Sequence, residues 1–241
     1  MDVLEAAEAI DGYRRACQEN YINAQAREGH VYELSNISVP AYNFLREAID
    51  DYPLLQRCEF AILDSTADGG FPHTRPNNLI CLPNSLCKEA PASNEFRITL
   101  LHEGMHVHQR KFNREWDQAM ERVGWTPISK DRIPEEFRDR VRINPDTMMS
   151  PFWSFHKFHI PLPMFRLGTI RLSENIKIGD VAIEWFDLRT GATFHDPPKV
   201  FLEKYGRSIK QPEHPYEIYA ELFSEAKYIS SEEVLENLKR L

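Results

Sequence analysis

The stretch "TLLHEGMHVHQR", Thr99 to Arg110, decides how the rest of the chain is read. It places His102, Glu103, His106 and His108 in one short run. At about 100° per residue, His102 and His106 lie about 40° apart on a helix, one turn above the other. Two imidazoles so placed can reach one tetrahedral cation, which favours nitrogen ligands. Glu103 falls on the flank of that face, where its carboxylate can approach a metal-activated water without becoming a ligand. This is the H-E-x-x-H arrangement, with two ligands and one base from a single turn. His108 is different. It is rotated by about 200° from His106, onto the stripe of Ile98, Leu101, Met105, Phe112 and Trp116, and reads as a hydrogen-bonded core histidine.

The bulk properties are those of an ordinary globular protein. The 241 residues fit one domain or two small ones, and 42% hydrophobic with 27% charged residues is ordinary for a packed core. A net charge of −8 argues against nucleic acid or an anionic membrane as the main partner. The N-terminus "MDVLEAAEAIDGYRRACQ" has acids where a signal peptide has basic residues, and no apolar run reaches the length of a membrane span. Cys17, Cys58, Cys81 and Cys87 form no C-x-x-C pair, so spare thiols are expected in a reduced, cytoplasmic protein. Oligomeric state is not readable.

Outward from the histidine run, the pattern predicts α+β architecture. Leu4, Ala7, Ile10, Tyr13, Cys17 and Tyr21 form one helical stripe over 2–27. A helix opens after Ser38 with Pro40 in its first turn. "RCEFAILDS" and "LICLP" read as strands separated by the loop "TADGGFPHTRPNN", in which His73 and Arg75 are expected at the surface. Ser93 or Asn94 caps an amphipathic helix running from about Glu95 past Trp116. A short helix opens at Pro134. Residues 124–200 form an insert of strands and aromatics within a single domain of 1–241, with a hairpin turning at Arg189 to Gly191. Asp146 has a turn-like context. Three helices follow, the last with a capping box from Ser230 and Glu233.

A catalytic zinc site takes three protein ligands and keeps a position open. Candidates for the third are Asp146, His156, His159, His195, His214, Glu217 and Glu221. Only "HPYEIYAELFSEAKY" presents acids on an apolar helix, with Glu217 and Glu221 stacked four apart. One can ligate while the other accepts the free N–H of a ligating imidazole.

The H-E-x-x-H turn, "EIYAELF" at 217–223 and "YGR" at 205–207 together resemble the gluzincin metallopeptidases, locally the catalytic domain of anthrax lethal factor-like peptidases. The resemblance implies a zincin-like fold, with Glu217 as third ligand, Glu221 as its supporting acid and Tyr205 as a hydroxyl donor to the oxyanion. It also implies that "NNLICLP" is the edge strand of a small mixed sheet, along which an extended substrate lies. His214, just before the glutamate helix, is the alternative electrophile.

The leading expectation is a Zn2+-dependent hydrolase acting on a peptide, a protein or a small-molecule amide, with Glu103 as general base. Two His and one carboxylate also make the facial triad of non-haem Fe2+ enzymes, whose organic substrate the run "PFWSFHKFHIPLPMF" would enclose. A third expectation is a non-catalytic metal-binding protein that docks a partner through exposed Trp153 or Phe155.

Overall fold

Local chemistry sets the helix ends. In the computed structural model, which describes residues 2–89, 94–172 and 176–241, the N-terminal stripe is cut into three short helices. These are α1 (Val3–Asp11), α2 (Tyr13–Glu19) and α3 (Tyr21–Gln25). Gly12 ends α1 in the left-handed region at φ 60°, and Asn20 breaks the next boundary in an extended conformation. The breaks re-aim the stripe: Leu4, Ala7, Tyr13 and Cys17 are buried, whereas Ile10 and Tyr21 are exposed. Ser38 caps α4 (Val39–Asp51) by accepting from the Ala41 N–H, with proline in the first turn as expected.

Two sheets follow. The first comprises β1 (Glu59–Leu63), β2 (His73–Arg75) and β3 (Leu79–Pro83), in the order β1-β3-β2. β3 pairs parallel with β1 and antiparallel with β2, so the sheet is mixed. β3 is therefore its centre and not its edge. All five of its residues are buried, as a strand flanked on both sides requires. His73 and Arg75, expected in a surface loop, are buried on β2. Arg75 is fully buried and pairs with Asp11 and Glu8 of α1, fixing that helix against the sheet.

After the short α5 (Asn84–Glu89) comes α6 (Asn94–Lys111), the histidine helix. Ser93, one of the two expected caps, lies outside the described residues. α6 stops at Phe112, and α7 (Asn113–Arg122) is a separate helix, so the single long helix is corrected to two. Nor is α6 amphipathic around the motif. Every residue from Leu100 to Gln109 except His102 is buried, which makes it the central helix of the molecule.

The second sheet is an antiparallel array of β4 (Trp125–Pro127), β5 (Trp153–Phe155), β6 (His159–Phe165), β7 (Val181–Asp187) and β8 (Thr193–Phe194) in chain order. The single-turn α8 (Glu135–Arg138) and α9 (Leu167–Leu172) punctuate it. The hairpin turns where expected, with the Gly191 N–H donating to the Asp187 carbonyl. Three helices close the chain: α10 (Lys199–Tyr205), α11 (Pro215–Glu225) and α12 (Ser231–Arg240), the last with its capping box in place.

The strand-rich 124–200 segment is not an appended module. Its Trp125, Trp153, Phe155 and Trp185 share one hydrophobic cluster with Met105 and Trp116 of the central helices and Ile218 of α11. Trp153 and Phe155 are core, each burial worth roughly 1.5–3 kcal/mol or more for so large a side chain. That cluster presses α11 onto α6. No described helix is long and apolar enough to cross a membrane.

Candidate metal centre

α6 supplies His102 and His106 from successive turns, and α11 supplies Glu217 from its first turn. His102 Nε2 and His106 Nε2 are 3.0 Å apart, and each is 3.2 Å from Glu217 Oε2. Among the described residues these form the one group of three side chains placed to hold a cation. Ligands about 2.0–2.1 Å from a tetrahedral ion are separated by about 3.3–3.4 Å. The triangle is therefore close to the size a zinc ion requires.

Neighbouring groups aim each ligand. The His106 Nδ1–H donates to Gln109 Oε1 at 2.7 Å, which leaves the Nε2 lone pair for the cluster. Gln109 is itself held by donating to the Tyr216 carbonyl at 2.9 Å. Asn144 Nδ2 donates to Glu217 Oε1 at 2.7 Å, turning Oε2 towards the imidazoles. Gln109 and Asn144 were not expected from the sequence. Gln109 had a signal, since it stands three residues after His106 on the same helix face. Asn144 had none.

Charge is concentrated at this point. Burial disfavours an imidazolium at His106, but the Glu217 and Asp146 carboxylates outweigh it and raise its pKa to about 10. Burial likewise works against a charged Glu217, and the adjacent imidazoles hold it well below the usual carboxylate range. The two statements describe one ion pair, in which a proton supplies the positive charge a cation would bring. Glu103 is buried beside them, and burial, with Asp146 second, raises its pKa to about 7. Its Oε2 has no hydrogen-bond partner. Leaving such an oxygen unpaired costs roughly 1–3 kcal/mol, so packing alone gives no reason for it.

A cavity of about 310 Å³ opens over the cluster, walled by His102, Glu103 and Glu217 together with Phe71, His73 and Asn144. Asp146, expected to be a turn residue only, also lines it and accepts hydrogen bonds from Thr74.

The other expected site residues do not converge there. The Tyr205 hydroxyl accepts from Trp125 Nε1 at 2.9 Å and lies 3.5 Å from the Tyr219 hydroxyl, within the aromatic core. It does not line the cavity. His214 caps α11 by accepting from the Tyr216 N–H at 3.0 Å, and its Nε2–H donates to the Ser150 carbonyl at 2.9 Å. Burial lowers its pKa to about 4, and both ring nitrogens are occupied. Glu221 reaches the cavity wall, but it accepts from the Lys210 and Gln211 backbone N–H groups at 3.0 and 3.4 Å, not from a ligating histidine. Gln109 fills the place expected of it. His156, His159 and His195 are outside the cluster. His108 sits where the stripe put it, accepting from Trp116 Nε1 at 3.0 Å while its Nε2 meets Ser231 Oγ at 3.0 Å.

No family model, curated protein or solved structure matches the chain.

Proposed function

We propose that the chain is a zinc-dependent hydrolase of the zincin type that cleaves a peptide or small-molecule amide bond. The observation that carries this reading is the donor triangle of His102, His106 and Glu217 with the unpartnered Glu103 Oε2 beside it at the cavity floor. A purely structural metal site has no use for a buried base.

When bound, zinc supplies Lewis acidity: it lowers the pKa of water towards neutrality and polarises a carbonyl. The rest falls to the chain. His102, His106 and Glu217 hold the ion. Gln109 and Asn144 fix the orientation of two of those ligands. Glu103, buried beside the donor triangle with Oε2 unpartnered, takes a proton from water and returns it to the leaving nitrogen. Zinc is preferred to iron because non-haem iron chemistry needs no such base. Moreover, Phe152, Trp153, Phe155 and Phe165 of the aromatic run that would have enclosed an organic substrate are buried in the core, and none of them lines the cavity.

Glu103→Gln is expected to keep zinc and lose turnover by about 10²-fold or more, while Glu217→Ala loses zinc. Metal analysis of anaerobically purified protein, followed by assay on peptide and amide libraries, checks both. Stoichiometric zinc in Glu217→Ala would remove the third ligand. Undiminished turnover in Glu103→Gln would remove the base.

A further inference from the structure

We infer that the cavity takes a compact amide substrate, and that an extended peptide lying along the sheet edge is excluded from it. The inference rests on the hydrolase reading above and narrows it. With β3 in the middle of its sheet, the edge facing the histidine helix is β2, which packs against α6. Along this short strand the alternation of hydrogen bonding turns the N–H and C=O of Thr74 away from β3. A substrate strand adding to this edge needs those two groups.

Both are already taken. The Thr74 N–H donates to Asp146 Oδ1 at 2.7 Å, and its carbonyl accepts from Arg110 Nη2 at 2.9 Å. The Thr74 hydroxyl joins the same pair, donating to Asp146 and accepting from Arg110. Thr74 is fully buried. A carboxylate and a guanidinium thus occupy the positions that a peptide N–H and C=O would fill. Hydrogen bonds to charged groups are about twice as strong as neutral ones, so a neutral strand loses the exchange.

The clamp is also tied to the metal cluster. Arg110 Nη2 donates to the Pro145 carbonyl at 2.9 Å, and the Asp146 N–H donates to Asn144 Oδ1 at 3.0 Å. Asn144 in turn holds Glu217. Displacing the 144–146 backbone to free Thr74 therefore disturbs a ligand, whereas removing the Asp146 carboxylate alone keeps the Asp146 N–H bond to Asn144. What remains for substrate is the cavity of about 310 Å³, at the small end of small-molecule sites. Phe71, Leu86 and Ile98 contribute apolar wall. The fit is an amide with a short group on each side of the scissile bond, one of them apolar.

The test uses the zinc-loaded wild-type chain and acetylated peptide hydroxamates of one, two, four and eight residues, with binding read by calorimetry and the Thr74 amide followed by hydrogen exchange. The expected result is binding of the shortest probes, affinity for eight residues no better than for two within about threefold, and a protected Thr74 amide throughout. Asp146→Ala should bind the eight-residue probe at least about tenfold more tightly than wild type does. If that variant fails to fold, the wild-type series decides alone. Affinity rising about tenfold or more with length, with Thr74 exchange altered by the long probe, overturns the inference and leaves the hydrolase reading intact. Zinc-loaded protein that binds no hydroxamate of any length overturns the hydrolase reading and the substrate assignment with it.

Discussion

Two faces of α6 carry histidines that the helical rotation already separates, and the fold treats them oppositely. His102 and His106 face a wall of carboxylates from Glu217, Asp146 and Glu103, and the charge raises the pKa of His106 to about 10. His108 faces Trp116 and a serine hydroxyl, and burial lowers its pKa to about 4. One imidazole is surrounded by negative charge that asks for a cation. The other is neutral and complete. The lesson is that a ligand candidate is marked less by its own identity than by what remains unsatisfied around it.

The largest expected effect tests whether only the first face takes metal. Saturating zinc at about a thousand times its dissociation constant should stabilise the fold by about 4 kcal/mol. The gain should vanish in Glu217→Ala and persist in His108→Gln, as read by thermal or denaturant unfolding. Equal loss in both variants would erase the contrast between the faces.

The second effect is acid sensitivity from the other face. The folded pKa of His108 lies below its free value, so the unfolded chain takes up the proton first as pH falls. Its stabilising contribution is complete above about pH 6.5 and is lost on descent to about pH 4, about 3 kcal/mol in all. His214 shares the same direction and window. Chemical denaturation should show wild type losing about 3 kcal/mol relative to His108→Gln between about pH 6.5 and pH 4.

A finer probe is the support behind His106. Gln109→Ala should weaken zinc about 10–100-fold without abolishing binding, measured by chelator competition. Smallest is Gly104→Ala, inside the motif. An added Cβ would lie 2.7 Å from Leu55 Cδ2 and 3.2 Å from Leu54 Cδ2. Overpacking of about 1–3 kcal/mol should outweigh the helix-propensity gain of about 1 kcal/mol. A net loss of about 1 kcal/mol is expected by urea titration. A more stable Gly104→Ala protein would show that Leu54 and Leu55 yield.

What was legible in the sequence is what chemistry fixes over a few residues. The Ser38 cap, the Ser230–Glu233 box, the hairpin turn and the one-turn spacing of His102 and His106 all follow from local rules. Glu217 was legible because an acid on an otherwise apolar helix stands out. Two residues whose roles the resemblance implied have other partners in the structure. Tyr205 is engaged by Trp125, and Glu221, one turn beyond Glu217, is turned to the Lys210 backbone. Asn144 and Asp146 reach the cavity through pairing between distant segments, which no short window contains. Whether β3 is edge or centre is likewise a matter of non-local pairing. Its unbroken apolar run was nonetheless a sign of the centre.

The coupling of α6 to α11 has one more consequence. His102 and Glu217 are 115 residues apart, and the whole five-stranded sheet lies between them. Closing a loop of that length in a disordered chain costs about 4 kcal/mol beyond a constant. A sheet that has already drawn the two helices together removes that cost, so a cation would engage both most readily late in folding. The rate at which nascent chains capture metal would then report the assembly of the sheet.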